Sequence, residues 1–349
     1  MKKRRKMKKS AKIFIGILLL IVIGLVVYLL VNPNAKKELD KKVKEYKDPV
    51  VEKKVQIVDE NSTSRPYAVM INNINVARPL QSGLQDAYIV YEIIVEGGIT
   101  RYMALFMDQS TERIGSIRSS RHYFLDYAME NDAIYVHHGQ SPQAQRDFSK
   151  YNIDRIVADN SNTGWRDRTL NVSSEHTLFT SIEKLNTRKN SFRTERNKDL
   201  LLKYSVDSLN LSTYEGAIPA ANVTIVYSNY TKDYYEYDSV NKVYKRFVNG
   251  TAHTDYVTKE QYTVKNIITY KVENYNLNDG SGKGRQDIKN IGSGEGYYIS
   301  EGYAVPITWE KKSRESQTIY KYKDGKQLVV NDGNTFIQIQ PVNQTLTIE

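Results

Sequence analysis

Three charges interrupt an apolar run at "YEIIVEGGITRY", Tyr91 to Tyr102: Glu92, Glu96 and Arg101. Paired carboxylates are the usual equipment of general acid–base chemistry and of glycoside cleavage. An arginine beside them would hold one ionised and leave the other as an acid. Read as two strands joined by a two-residue turn at Gly97-Gly98, the stretch pairs Glu96 with Ile99, Ile94 with Arg101 and Glu92 with Met103. Strand alternation then collects Glu92, Glu96 and Arg101 on one face and leaves Tyr91, Ile93, Val95 and Tyr102 for a core. Residues four apart along a strand are about 13 Å apart at Cα, wide for a catalytic pair. The same pattern therefore also fits a ligand-binding floor or a salt-bridged face in water.

A second constellation is "RIGSIRSSRHYFLDYA", Arg113 to Ala128. Glycine, serines and arginines run into a helix, so Arg118, Ser119, Arg121 and the helix N-terminus could hold a carboxylate or phosphate. A third is "YVHHGQSP", with His137 and His138 at a strand end. Adjacent strand residues face opposite ways, so the two imidazoles do not share a metal without a bend. No metal site and no cofactor is expected, and G-x-S-x-G, H-E-x-x-H and P-loop motifs are absent. The chain has no cysteine, which excludes disulfides, thiolate zinc and a cysteine nucleophile.

These residues need a scaffold, and the pattern predicts an α+β fold in two domains. Residues 65–218 read as a mixed α/β domain. "YAVMI", "AYIVYEIIV", "ITRYMALFM" and "AIYVHH" are its strands, and its helices run over Ser119–Asp132, from Pro142, and from Thr177 onward. Residues 219–349 hold 15 of the 27 tyrosines, in short Val-, Ile- and Thr-rich runs separated by Asn-Gly and Asp-Gly turns. They read as a mainly antiparallel β domain. "NDGSGKGRQDIKNIGSGEG" reads as a mobile glycine-rich loop.

The net charge of +10 is not a nucleic-acid signal. The first twelve residues hold eight Lys or Arg and no acid, whereas residues 66–349 balance at 33 of each sign. Residues 1–12 are instead the cytoplasmic flank of "IFIGILLLIVIGLVVYLLV", Ile13 to Val31, which at about 1.5 Å per residue spans roughly 28 Å. The positive flank predicts a single-pass transmembrane helix and signal anchor, with the N-terminus in the cytoplasm and the domains extracytoplasmic. Residues 32–64 read as a charged stalk.

Residues 65–188 resemble the N-terminal domain of the YerB-like family of bacterial envelope proteins. "RPYAVMINN", "ARPLQSGLQDAYIVYE", "VEGGITRYMALF", "IGSIRSSRHYF" and "HHGQSP" follow one another in that order. "YAVPITWEKKS" and "GNTFIQIQP" resemble its C-terminal domain. The resemblance implies a two-domain, membrane-attached protein outside the cytoplasm of a Gram-positive-type cell, and implies no particular activity. Many members are lipoproteins; here a helix stands in for the lipid. Where members often show "GP" and "GGSP", this chain has Gly115-Ser116 and Gly139-Gln140-Ser141-Pro142. The expectation is an envelope protein binding a cell-wall or surface polymer through Arg101, Arg118, Ser119, Arg121, His137 and His138. The alternatives are a glycan-cleaving enzyme using Glu92 and Glu96, and a scaffold for envelope protein partners.

Overall fold

The computed structural model describes residues 54–349 together with Gly24, Tyr28 and residues 30–38. Segment 1–12, most of the expected span 13–31 and stalk residues 39–53 lie outside the described residues. Gly24, Tyr28, Leu30, Val31 and residues 33–38 are helical, and among the described residues no helix is long and apolar enough to cross a membrane.

Residues 54–349 form one compact unit built on an eleven-stranded mixed sheet. Its strands, numbered along the chain, are β1 (Tyr67–Asn72), β2 (Ile89–Ile94), β3 (Thr100–Phe106), β4 (Ile134–His137), β5 (Arg155–Val157), β6 (Ile218–Pro219), β7 (Asn266–Val272), β8 (Gly292–Ser300), β9 (Tyr303–Lys311), β10 (Ile319–Tyr322) and β11 (Thr335–Pro341). Their order is β6-β9-β8-β7-β11-β2-β3-β1-β4-β5, with β10 beside β9. The two halves of the chain thus share one sheet. They join where β11 runs parallel to β2, from Ile89↔Thr335 to Ile93↔Ile339, and parallel to β7 on its other side. The outer strands are short, and β6 ends in Pro219, which blunts both edges.

β1, β2 and β3 are buried along their whole length because both sheet faces are covered. On one face Met70, Tyr91, Ile93, Met103 and Tyr135 pack with helices α1 (His122–Glu130) and α2 (Pro142–Lys150). On the other, Ile71, Val90, Tyr102 and Phe336 pack against Val223, Ile225, Tyr235 and Tyr244. Those last four belong to a second, antiparallel sheet of residues 222–264 and 346–348. A third helix, α3 (Ile182–Asn186), follows a short strand, Leu178–Thr180.

The structure corrects several local expectations. The β2–β3 connection has three residues, not two: Val95 N–H donates to Ile99 O (2.8 Å) across Glu96-Gly97-Gly98. Both glycines have positive φ, 66° and 73°, the conformation that lets a hairpin take the extra residue. The register moves by one, so Glu92 pairs with Tyr102 and Arg101 with Ile93, and Arg101 changes face. Helix α1 starts at His122 with Arg121 as its N-cap, not at Ser119. The stretch from Thr177 begins as a strand, because Leu178–Thr180 pairs with Ile114–Gly115 and Trp165–Arg166. Within the glycine-rich stretch, Gln286–Ile288 pairs with Asn274–Asn276 and Gly292 opens β8. Residues 54–64, read as stalk, pack on the body: Val55 and Val58 are buried, and Gln56 and Ile57 N–H donate to the Asp332 carboxylate.

Candidate functional site

β1, β2 and β4 run in one direction and β3 against them, so the ends of three strands and the start of the fourth lie at one edge. Two connections meet there. The Arg118 N–H donates to Met70 O, the His138 N–H to Arg118 O, the Ser120 N–H to Gly139 O and the Ser141 N–H to Ser120 O. The Tyr135 hydroxyl donates to Ser120 Oγ (2.9 Å). Gly139 has φ 77°, and a Cβ there would stand 2.8 Å from Ser119 Oγ, so the two loops need glycine to close. "SIRSSR" and "HHGQS" are therefore one stitched surface.

Arginines from both sides converge on it. Arg101, at the start of β3 and 6% exposed, donates from Nη1 to Ser119 O and lies 3.8 Å from Glu96. Arg121 donates from Nε to Glu96 and from Nη1 to Ser120 O. Arg118 donates from Nη2 to Glu175 (2.6 Å). Arg166 donates to His138 Nε2 (3.2 Å), while His138 Nδ1 lies 2.6 Å from Ala158 O. Burial, with Arg121 and Arg118 close by, pulls Arg101 down to about 9. An arginine does not deprotonate readily, so the buried guanidinium stays charged, with Ser119 O and a Glu96 shared with Arg121 as its acceptors. Against the cost of burial, Arg121 and Arg101 hold Glu96 below the usual carboxylate range. Arg118 does the same to Glu175.

Glu92 does not join this cluster. It is fully buried on the opposite face, and Arg246 Nη2 bridges it (2.7 Å) to Asp233 (2.6 Å). Thr100 Oγ1, Asn73 Nδ2 and Gln338 Nε2 also donate to it. Arg246 further donates from Nε to the Tyr235 hydroxyl, and His253 lies between Arg246 Nη1 and Gln81. Burial pushes Asp233 well above the carboxylate range against the pull of Arg246, and Glu92 adds to the rise. Glu92 and Glu96 thus lie on opposite sides of the sheet, and the paired-glutamate arrangement does not form.

His137 is also withdrawn from solvent. It is fully buried, stacks on Phe148 (centroids 4.9 Å apart), donates from Nδ1 to Gly139 O and accepts at Nε2 from Arg155. Arg246, Asp233 and Glu175 were not singled out from the sequence as partners for these charges; they come from elements far along the chain, and no local pattern marks them. A cleft of about 670 Å³ shares no residue with the arginine cluster. Its Asp86 is taken by Thr111, and its Asp255 by Gly83 N–H and Tyr262.

Residues 55–195 match the family described as "Protein of unknown function (DUF3048) N-terminal domain", and residues 223–337 match its C-terminal domain. The chain belongs to this two-domain family. It is 30% identical over 322 residues to "Putative lipoprotein YerB" of Bacillus subtilis (strain 168), covering 90% of this chain and 92% of the relative. The crystal structure of YerB from Bacillus subtilis matches with a TM-score of 0.70 at 28% identity, over 83% of this chain and 96% of that one. The YerB-like resemblance carried by the sequence motifs is therefore membership of the family.

Proposed function

We propose that this chain is an extracytoplasmic protein held at the membrane by residues 13–31, and that it binds a cell-wall or surface polymer at the sheet edge formed by residues 118–121 and 138–141. The carrying observation is the convergence of Arg101, Arg118 and Arg121 on one edge, where the buried Arg101 guanidinium shares a single carboxylate, Glu96, with Arg121. The apolar run behind a basic N-terminus supports the anchor, and the relative's description as a putative lipoprotein supports an envelope location. A glycan-cleaving role for Glu92 and Glu96 finds no support in the geometry, since Glu92 is enclosed by donors. The test is co-sedimentation of the detergent-solubilised chain with purified wall sacculi. The wild type is expected in the pellet, and Arg118→Ala with Arg121→Ala is expected to reduce retention at least tenfold. Equal retention by the double variant rejects the site. Failure of the wild type to sediment, with protein cross-links formed in cells, rejects the polymer reading in favour of an envelope protein partner.

A further inference from the structure

We propose, resting on the reading of this edge as the ligand site, that the Arg101–Arg118–Arg121 cluster selects a phosphoryl oxyanion over a carboxylate. The first ground is what the arginines already hold. Glu96 takes Arg121 Nε and Glu175 takes Arg118 Nη2. A ligand carboxylate would offer these guanidiniums only what the chain already supplies from tethered side chains. A ligand that adds to these contacts must bring more charge or more acceptor oxygens.

The second ground is charge balance. Arg101, Arg118 and Arg121 face the carboxylates of Glu96 and Glu175, and Arg166, at His138, pairs with an imidazole and a backbone carbonyl, not an acid. The arginines outnumber the acids they hold. A phosphomonoester carries about −1.5 to −2 at neutral pH, more than the single charge a carboxylate brings.

The third ground is the set of donors left over. Arg101 is 6% exposed, points at the Ser119–Arg121 turn, and has no acceptor at Nε. Helix α1, nine residues long, begins at this turn with no side-chain cap and no acid in its first turn. The carboxylates nearest its start, Glu96 and Asp287, are taken by the side chains of Arg121 and His122, and no side chain caps its backbone N–H groups. Among the described residues the Ser119 hydroxyl makes no hydrogen bond, and Gly139 keeps the space beside it open to Oγ alone. Arginines, a hydroxyl and an uncapped helix terminus flank this one turn, and a phosphoryl group brings more acceptor oxygens to them than a carboxylate does.

The experiment uses the full chain in non-ionic detergent and sacculi prepared in two ways: untreated, and stripped of phosphodiester-linked polymers by hydrofluoric acid, which leaves peptide carboxylates in place. Untreated sacculi are expected to retain the chain at least tenfold better than stripped ones. Inorganic phosphate is expected to release it, and acetate at equal ionic strength is not. Arg118→Gln with Arg121→Gln should abolish retention, while Arg118→Lys with Arg121→Lys, which keeps the charge, controls for folding and should retain part of it. If stripped sacculi bind as well as untreated ones, or acetate releases as phosphate does, while the glutamine variant still fails to bind, the phosphoryl assignment is overturned and the wall-ligand site stands. If the glutamine variant binds untreated sacculi like the wild type, the site itself is wrong and the assignment falls with it.

Discussion

Replacing Arg246 with Met tests whether the two halves of the chain are held by a buried charge network. In the wild type one guanidinium nitrogen contacts two fully buried carboxylates, with Cζ 5.2–5.6 Å from the rings of Tyr102, Phe336 and Tyr235. Arg246→Met keeps much of the volume but removes the cation. Glu92 retains Thr100, Asn73 and Gln338 as donors, whereas Asp233 Oδ2 loses Arg246 and its Oδ1 already has no partner. Breaking a buried pair from one side costs about 3–5 kcal/mol, and the bond from Arg246 Nε lost at the Tyr235 hydroxyl, which keeps Gln338 Nε2 as a donor, adds about 1 kcal/mol. A loss of about 4–6 kcal/mol is a large share of the 5–15 kcal/mol typical of a whole fold. The sign of the pH dependence is fixed as well. A carboxyl whose folded-state pKa is raised, as that of Asp233 is, favours the folded state below its unfolded value and loses that advantage as pH rises. Without Arg246 the rise is larger, so the deficit should be greatest near pH 8 and shrink toward pH 5. Urea unfolding of residues 54–349, followed by Trp165 and Trp309 fluorescence, measures it. Adding Glu92→Gln and Asp233→Asn to Arg246→Met should recover much of the loss at pH 8. A single variant within 1 kcal/mol of wild type at pH 8, or a deficit that grows with acid, would refute the reasoning.

His137 should make the fold acid-sensitive. Burial first, with Arg155 and His138 adding to it, pulls its pKa down to about 4. That contribution is full above the unfolded value near 6.5 and is lost as pH falls toward 4, roughly 3 kcal/mol in all. His137→Phe should flatten the stability profile between pH 6.5 and 4 relative to wild type, and an unchanged slope would contradict the assignment. Gly98→Ala places a Cβ 2.8 Å from Ser228 Oγ at a φ of 73° and should cost about 1–3 kcal/mol, read as a lower urea midpoint with an unchanged slope. A chain ended at Asn334 removes β11 from between β2 and β7 and should give no cooperative unfolding transition; a cooperative one would show that the N-terminal strands stand without it.

The strands were legible because burial on both faces writes itself as continuous apolar runs: "YAVMI" is β1, and "IVYEII" and "TRYMALF" are β2 and β3. Pro142 after Ser141 marked α2, where Ser141 Oγ accepts from the Ala144 N–H. The hairpin register was not legible, since Gly97-Gly98 fits a two-residue and a three-residue connection alike, and one residue decides which face Arg101 takes. Nor was the destination of Glu92. "VYKRFV" reads as a strand, but nothing local says that Arg246 crosses to a carboxylate 154 residues earlier. Arg118 and Arg121 share a motif, and in the sequence Arg101 groups with them and with Glu92 alike; the hairpin register is what puts Arg101 and Glu92 on opposite faces.

The placement of β11 also sets a timetable. Its Gln338 reaches Glu92 across 246 residues of chain, which at about 5–20 residues per second take on the order of ten to fifty seconds to synthesise. Throughout that interval one side of β2 has no neighbour, and a bare strand flank pairs readily with whatever strand it meets. The sheet therefore cannot be completed in installments as the chain leaves the ribosome; its assembly waits for β11. Until then the exposed flank of β2 is the place where this chain is most open to pairing with the wrong strand.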